Sequence, residues 1–66
     1  MSFSNLTVND FRVGDKVGTI DGIYWGTVIS IDYSSNYPIH VRIDDSNDPS
    51  TKIGHISEYH PSVLNK

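Results

Sequence analysis

Cysteine is absent from this 66-residue chain. No disulfide can staple it, no thiolate can ligate a metal, and no thiol can serve as a nucleophile. That absence fits a reducing cytosol. Cations are scarce as well: five Lys and Arg stand against eight Asp and Glu, a net charge of −3. Binding to phosphate backbones is driven by Lys and Arg, so the balance disfavours nucleic acid and favours a protein partner with a basic surface. A long apolar run is missing too, and a membrane helix needs about 18 such residues. Met1-Ser2-Phe3-Ser4-Asn5-Leu6 shows neither the basic segment nor the apolar stretch of a secretory signal. A cytoplasmic location with no membrane contact is the expectation. Sustained helical periodicity and internal repeats are also lacking.

What is present is β-rich sequence organised around Gly22 to Ile43. Two runs full of Val, Ile, Thr, Tyr and Trp flank the polar break Ser34-Ser35-Asn36, the signature of a hairpin. A chain this short is one domain that buries only about 60% of its unfolded surface. Residues 1–10, rich in Ser and Asn, read as a tail that either folds back with Phe3 or Leu6 as a cover or frays in solution. Val17-Gly18-Thr19-Ile20 reads as a first strand, ended by the turn dipeptide Asp21-Gly22. Trp25 to Tyr33 reads as the second strand. Strict alternation there fails at Val28, and a bulge near Ile29-Ser30 would turn both Val28 and Ile31 inward.

Pro38 to Asp44 alternates cleanly, with Ile39, Val41 and Ile43 inward and His40 and Arg42 outward. Asp45 to Ser50 is a loop. Thr51 to Ile56 is expected as a fourth strand, Ser57 to His60 as a short helical turn capped by Ser57, and Val63-Leu64 as a fifth strand.

Val13-Gly14-Asp15-Lys16-Val17, then Gly26-Thr27-Val28-Ile29-Ser30-Ile31, then Ile39-His40-Val41-Arg42-Ile43 resemble the SH3-like small barrels of the Tudor and KOW type. With Tyr37-Pro38-Ile39, Thr51, Gly54 and the closing His60-Pro61-Ser62-Val63-Leu64, the chain is similar to small proteins encoded by bacteriophages and their bacterial hosts. The resemblance covers residues 11 to 64. It implies an all-β fold: a five-stranded, strongly bent SH3-like barrel over residues 11–66 behind the tail at 1–10. It implies no catalytic residues. The A-L-Y-D-Y signature of peptide-binding SH3 domains is absent.

The candidate chemistry is modest. His40, His55 and His60 match no metal-ligand spacing. Asp44, Asp45 and Asp48 resemble the start of a calcium loop, but Pro49 and His55 stand where that loop needs Gly and Glu. No strained nucleophile turn such as G-x-S-x-G occurs, and a barrel this small offers little enclosed volume for a substrate. No enzyme activity, metal or cofactor is expected. The aromatic residues Tyr24, Trp25, Tyr33, Tyr37 and Tyr59 fall at strand ends and loops, where Trp and Tyr serve as binding hot spots.

The resulting expectation is a non-enzymatic protein-binding module that docks on, and inhibits, a host protein as a phage accessory protein in the host cytoplasm. Its contact residues are Tyr24, Trp25 and Tyr37, with Asp44, Asp45 and Asp48 facing a basic partner. Two alternatives stand beside it. One is nucleic-acid binding, with Arg12, Lys16, Arg42 and Lys52 on one side and tyrosines stacking on bases. The other is self-association through an edge strand such as Thr51 to Ile56.

Overall fold

A computed structural model describes residues 5–66. Five strands form one antiparallel sheet: β1 (Lys16–Thr19), β2 (Tyr24–Ile31), β3 (Ile39–Ser46), β4 (Ile56–Tyr59) and β5 (Leu64–Asn65). Their spatial order is β4-β3-β2-β1-β5. The sheet does not close into a barrel, because β4 and β5 remain its two edges. The all-β class and the strand number agree with the sequence reading; a closed barrel is not what forms. Among the described residues no helix is long and apolar enough to cross a membrane.

The core lies on one face of the sheet. It comprises Phe11, Val17, Val28, Ile39, Val41, Ile43 and Leu64, all nearly or fully buried. On β3 the buried residues alternate as expected, with His40 and Arg42 on the outer face. The bulge in β2 also forms where expected. The register with β3 shifts between Val28 and Ser30, so Val28 is fully buried and Ile31 packs against the core two turns of the pleat later. Gly26 lets β2 and β3 meet closely, since a Cβ there would sit 2.1 Å from the Arg42 carbonyl oxygen.

Residues 5–10 are tied to the domain. Leu6 and Val8 pack on the core, and Val8–Asp10 form a 3₁₀ turn whose first N–H groups are served by a capping box. The Asp10 carboxylate accepts from the Thr7 N–H at 2.7 Å. Leu6 therefore does help cover the core; Phe3 lies outside the described residues.

Two elements differ from expectation. Thr51 to Gly54 is a turn, and the fourth strand is Ile56–Tyr59, where a helical turn was expected. Gly54 takes φ +91°, a left-handed conformation that no strand contains. Asp48 holds the turn by accepting from the Ser50 N–H at 3.0 Å and hydroxyl at 2.7 Å. The helical turn forms later, at Pro61–Val63, with Pro opening it and the His60 side chain rather than Ser57 accepting from the Ser62 N–H.

Candidate functional site

The candidate residues sit where β2 begins and β3 ends. Gly26 pairs with Ile43, yet Trp25 pairs with Asp45, so β3 carries one extra residue, Asp44. A bulge of this kind breaks the alternation of side chains. Asp44 and Asp45 are both exposed, whereas Ile43 is buried and Ser46 half-buried. Two consecutive carboxylates thus stand together beside Trp25.

They are not equivalent. Asp44 is enclosed by partners: the Thr27 hydroxyl donates to it at 2.6 Å, the Arg42 Nε lies at 3.3 Å and the Lys16 Nζ at 3.6 Å. The Thr27 hydrogen bond, with Arg42 and Lys16 assisting, holds its carboxyl below the usual carboxylate range. Asp45 accepts only from the neighbouring Ser46 N–H, at 2.8 Å. Among the described residues no cation stands within ion-pair distance of it.

Trp25 and Tyr24 are adjacent on a strand and so point to opposite faces. Trp25 is 39% exposed on the outer face, its indole lying over Gly18. Tyr24 turns inward, packs against the core and donates its hydroxyl to Asp48 at 3.2 Å. Asp48 is held below the usual range mainly by the Ser50 hydroxyl and N–H, with Tyr24 contributing.

The two loops at this end are joined. The Asn47 N–H donates to the Ile23 carbonyl at 2.8 Å, and the Asn47 side chain donates to the Gly22 carbonyl at 3.2 Å. Asp21 braces the first loop by accepting from the Thr19 hydroxyl and the Ile23 N–H. Its carboxyl is lowered by those same bonds, Thr19 foremost. Asp21, Asp45 and Asp48 therefore share one end with the exposed Trp25 and Ile23. Asp21 and Ile23 were not singled out from sequence; their place in a loop facing Asp45 to Asp48 becomes visible only once β2 pairs with β3.

Tyr37 is elsewhere. It follows β2 and precedes β3, and β2 separates it from Tyr24 by about 20 Å at the usual rise per residue. With Tyr33 it flanks an open groove whose other walls include Leu6, Val8 and Pro61. Tyr33 and Tyr37 are 68% and 58% exposed. The structure thus brings Tyr24, Trp25, Asp44, Asp45 and Asp48 together and leaves Tyr37 at the opposite end.

The histidines are dispersed. His40 faces Glu58 at 3.6 Å, His55 lies in the turn before β4, and His60 is bonded to Ser62. Among the described residues no group of His, Asp and Glu side chains is placed to hold a metal ion. Lys16 and Arg42 share the outer face with Asp44 between them, and Lys66 pairs with Asp15 at 3.2 Å. No family model, curated protein or solved structure matches this chain.

Proposed function

We propose that this chain is a non-enzymatic protein-binding module that docks on a basic protein surface through the end bearing Trp25 and Asp45. The observation that carries this reading is their juxtaposition. Trp25 and Asp45 are opposed across β2 and β3, both are exposed, and among the described residues Asp45 has no cation of its own. An exposed indole beside an unneutralised carboxylate suits a Lys or Arg side chain, which gains an ion pair and a cation–π contact together. Asp48 and Asp21 extend the negative field, and Ile23 and Trp25 supply apolar area. Pairing of Lys16, Arg42 and Lys66 with carboxylates weakens the alternative of nucleic-acid binding, which draws on unneutralised cations.

An SH3-like scaffold is the architecture we assign. It is supported by the strand order β4-β3-β2-β1-β5 and by the 3₁₀ turn that leads into the last strand. The resemblance to phage-encoded proteins supports a role as an accessory protein in the host cytoplasm, docking on and inhibiting a host protein.

The test is capture from lysate of a bacterial host, with and without nuclease, by the parent chain and by Trp25→Ala and Asp45→Lys variants. A protein retained after nuclease and lost with Asp45→Lys is the expected result. Trp25→Ala should weaken it about 30-fold, the loss typical of a hot-spot residue. Retention unchanged by either variant, or loss on nuclease treatment, would refute the reading.

A further inference from the structure

One row of residues crosses the sheet at the docking end. Asn65 of β5 pairs with Gly18 of β1, Gly18 with Trp25 of β2, and Trp25 with Asp45 of β3. β1 and β3 flank β2 on opposite sides. The indole lies against Gly18, where an added Cβ would press on its Cδ1 and Nε1. The ring therefore leans toward β1, while the Asp45 carboxylate stands on β3. Adjacent strands are about 4.8 Å apart, so ring and carboxylate are offset to either side of β2.

Both groups are open to a partner. Trp25 is partly exposed. Asp45 accepts at Oδ1 from the Ser46 N–H, and among the described residues its Oδ2 accepts no hydrogen bond. The hollow on the β1 side of the ring is lined by Lys16, Asp44, Asn65 and Lys66. Asp44 is already held by Thr27, Arg42 and Lys16, so a cation centred over the ring gains no carboxylate there and meets two lysines. An ammonium is a compact, strongly hydrated point charge. Over the indole it misses Asp45, and on Asp45 it misses the indole. A guanidinium is planar, weakly hydrated, and carries its donors along a fork. It covers the ring with its face and meets the carboxylate with its edge.

We propose that the partner residue gripped at this end is an arginine, its guanidinium stacked on the indole of Trp25 and its N–H edge donating to Oδ2 of Asp45. This rests on the docking function proposed above and narrows it from any basic side chain to one. The offset between ring and carboxylate sets the choice. Gly18 creates it by giving the indole a seat on β1, and the bulge at Asp44 creates it by leaving Asp45 without a cation on β3. The partner is then a protein surface that presents an exposed arginine.

The test is a titration of the full chain with acetyl-Gly-Arg-Gly-amide and with acetyl-Gly-Lys-Gly-amide, equal in charge, followed through the amide shifts of Gly18, Trp25 and Asp45. Peptide is taken to about 20 mM, because one side-chain contact binds in the millimolar range. The arginine peptide should bind about 5-fold tighter, the worth of one exposed cation–π contact. Trp25→Ala should bring the two peptides level, since each is then left with the carboxylate alone. Asp45→Asn should weaken the arginine peptide about 5-fold. Unchanged amide shifts at Val41 and Ile43 check that each variant keeps the fold. Equal binding, a preference for lysine, or an arginine preference that survives Trp25→Ala would overturn the assignment of arginine and leave the docking end in place. No shift at Gly18, Trp25 or Asp45 with either peptide would overturn both.

Discussion

The indole of Trp25 rests on Gly18 so closely that a Cβ added at Gly18 would lie 2.9 Å from its Cδ1 and 3.1 Å from its Nε1. The missing side chain on β1 is thus the seat that fixes the most exposed large ring on the outer face near Asp45. Gly18→Ala should tilt the ring and red-shift tryptophan emission. Stability should change by less than about 1 kcal/mol, because the overpacking is offset by the lower entropy of an unfolded chain with one glycine fewer. Partner capture should fall as it does for Trp25→Ala. Unaltered emission would show that Gly18 does not set the ring's position.

Gly26 gives the opposite outcome. A Cβ there would meet the Arg42 carbonyl oxygen and the Val41 side chain at 2.1 and 2.7 Å, and a backbone atom cannot step aside as an indole can. Gly26→Ala should cost about 3 kcal/mol or more, at the upper end of overpacking losses. A domain this small should then be largely unfolded at room temperature. Thermal denaturation followed by circular dichroism measures this directly.

Acid should loosen the docking end. Asp21, Asp44 and Asp48 each have a folded-state carboxyl below the ordinary value of 3.8. A depressed folded value means that the stabilisation is present above the unfolded value and lost as pH falls through the folded one. Urea midpoints should therefore hold steady down to about pH 5 and fall progressively below pH 4. Asp44→Asn, which removes one of these groups, should flatten that decline; an equally steep fall would exclude Asp44 as a contributor.

Tyr24→Phe removes the hydroxyl that reaches Asp48 and leaves the ring in the core. The expected loss is about 1 kcal/mol or less, the usual worth of one hydrogen bond. The sharper readout is hydrogen exchange. Amides of Asn47 to Thr51 should exchange faster, while those of Val41 and Ile43 keep their protection.

Residues read correctly from sequence are those where one local rule decides the outcome. Ile39, Val41 and Ile43 are buried because a half-buried strand must alternate. Val28 betrayed the bulge because it broke that alternation. Thr51 to Ile56 misled because Thr and Ile favour strands, whereas the left-handed Gly54 and the Asp48 cap decide for a turn. Ser57-Glu58-Tyr59 looked helical because an edge strand needs little apolar pattern. The shared end of Tyr24, Trp25, Asp44, Asp45 and Asp48 was partly legible, since these residues flank paired strands. The separation of Tyr37 depends on strand length, and the contrast between Asp44 and Asp45 depends on a second bulge that no periodicity announces.

The extra residue in β3 behaves as a phase shift in a two-step rhythm. From Val41 to Ile43 the strand is in step with β2, and from Asp45 onward it is one beat late. Removing Asp44 would therefore do more than delete a charge. It would set Asp45 directly after Ile43, still opposite Trp25 but in the regular outer-face position within reach of Lys16, Thr27 and Arg42, so that the carboxylate beside the indole would no longer stand unneutralised. One residue of chain length, with no change in composition beyond it, would exchange an acidic recognition face for a neutral one.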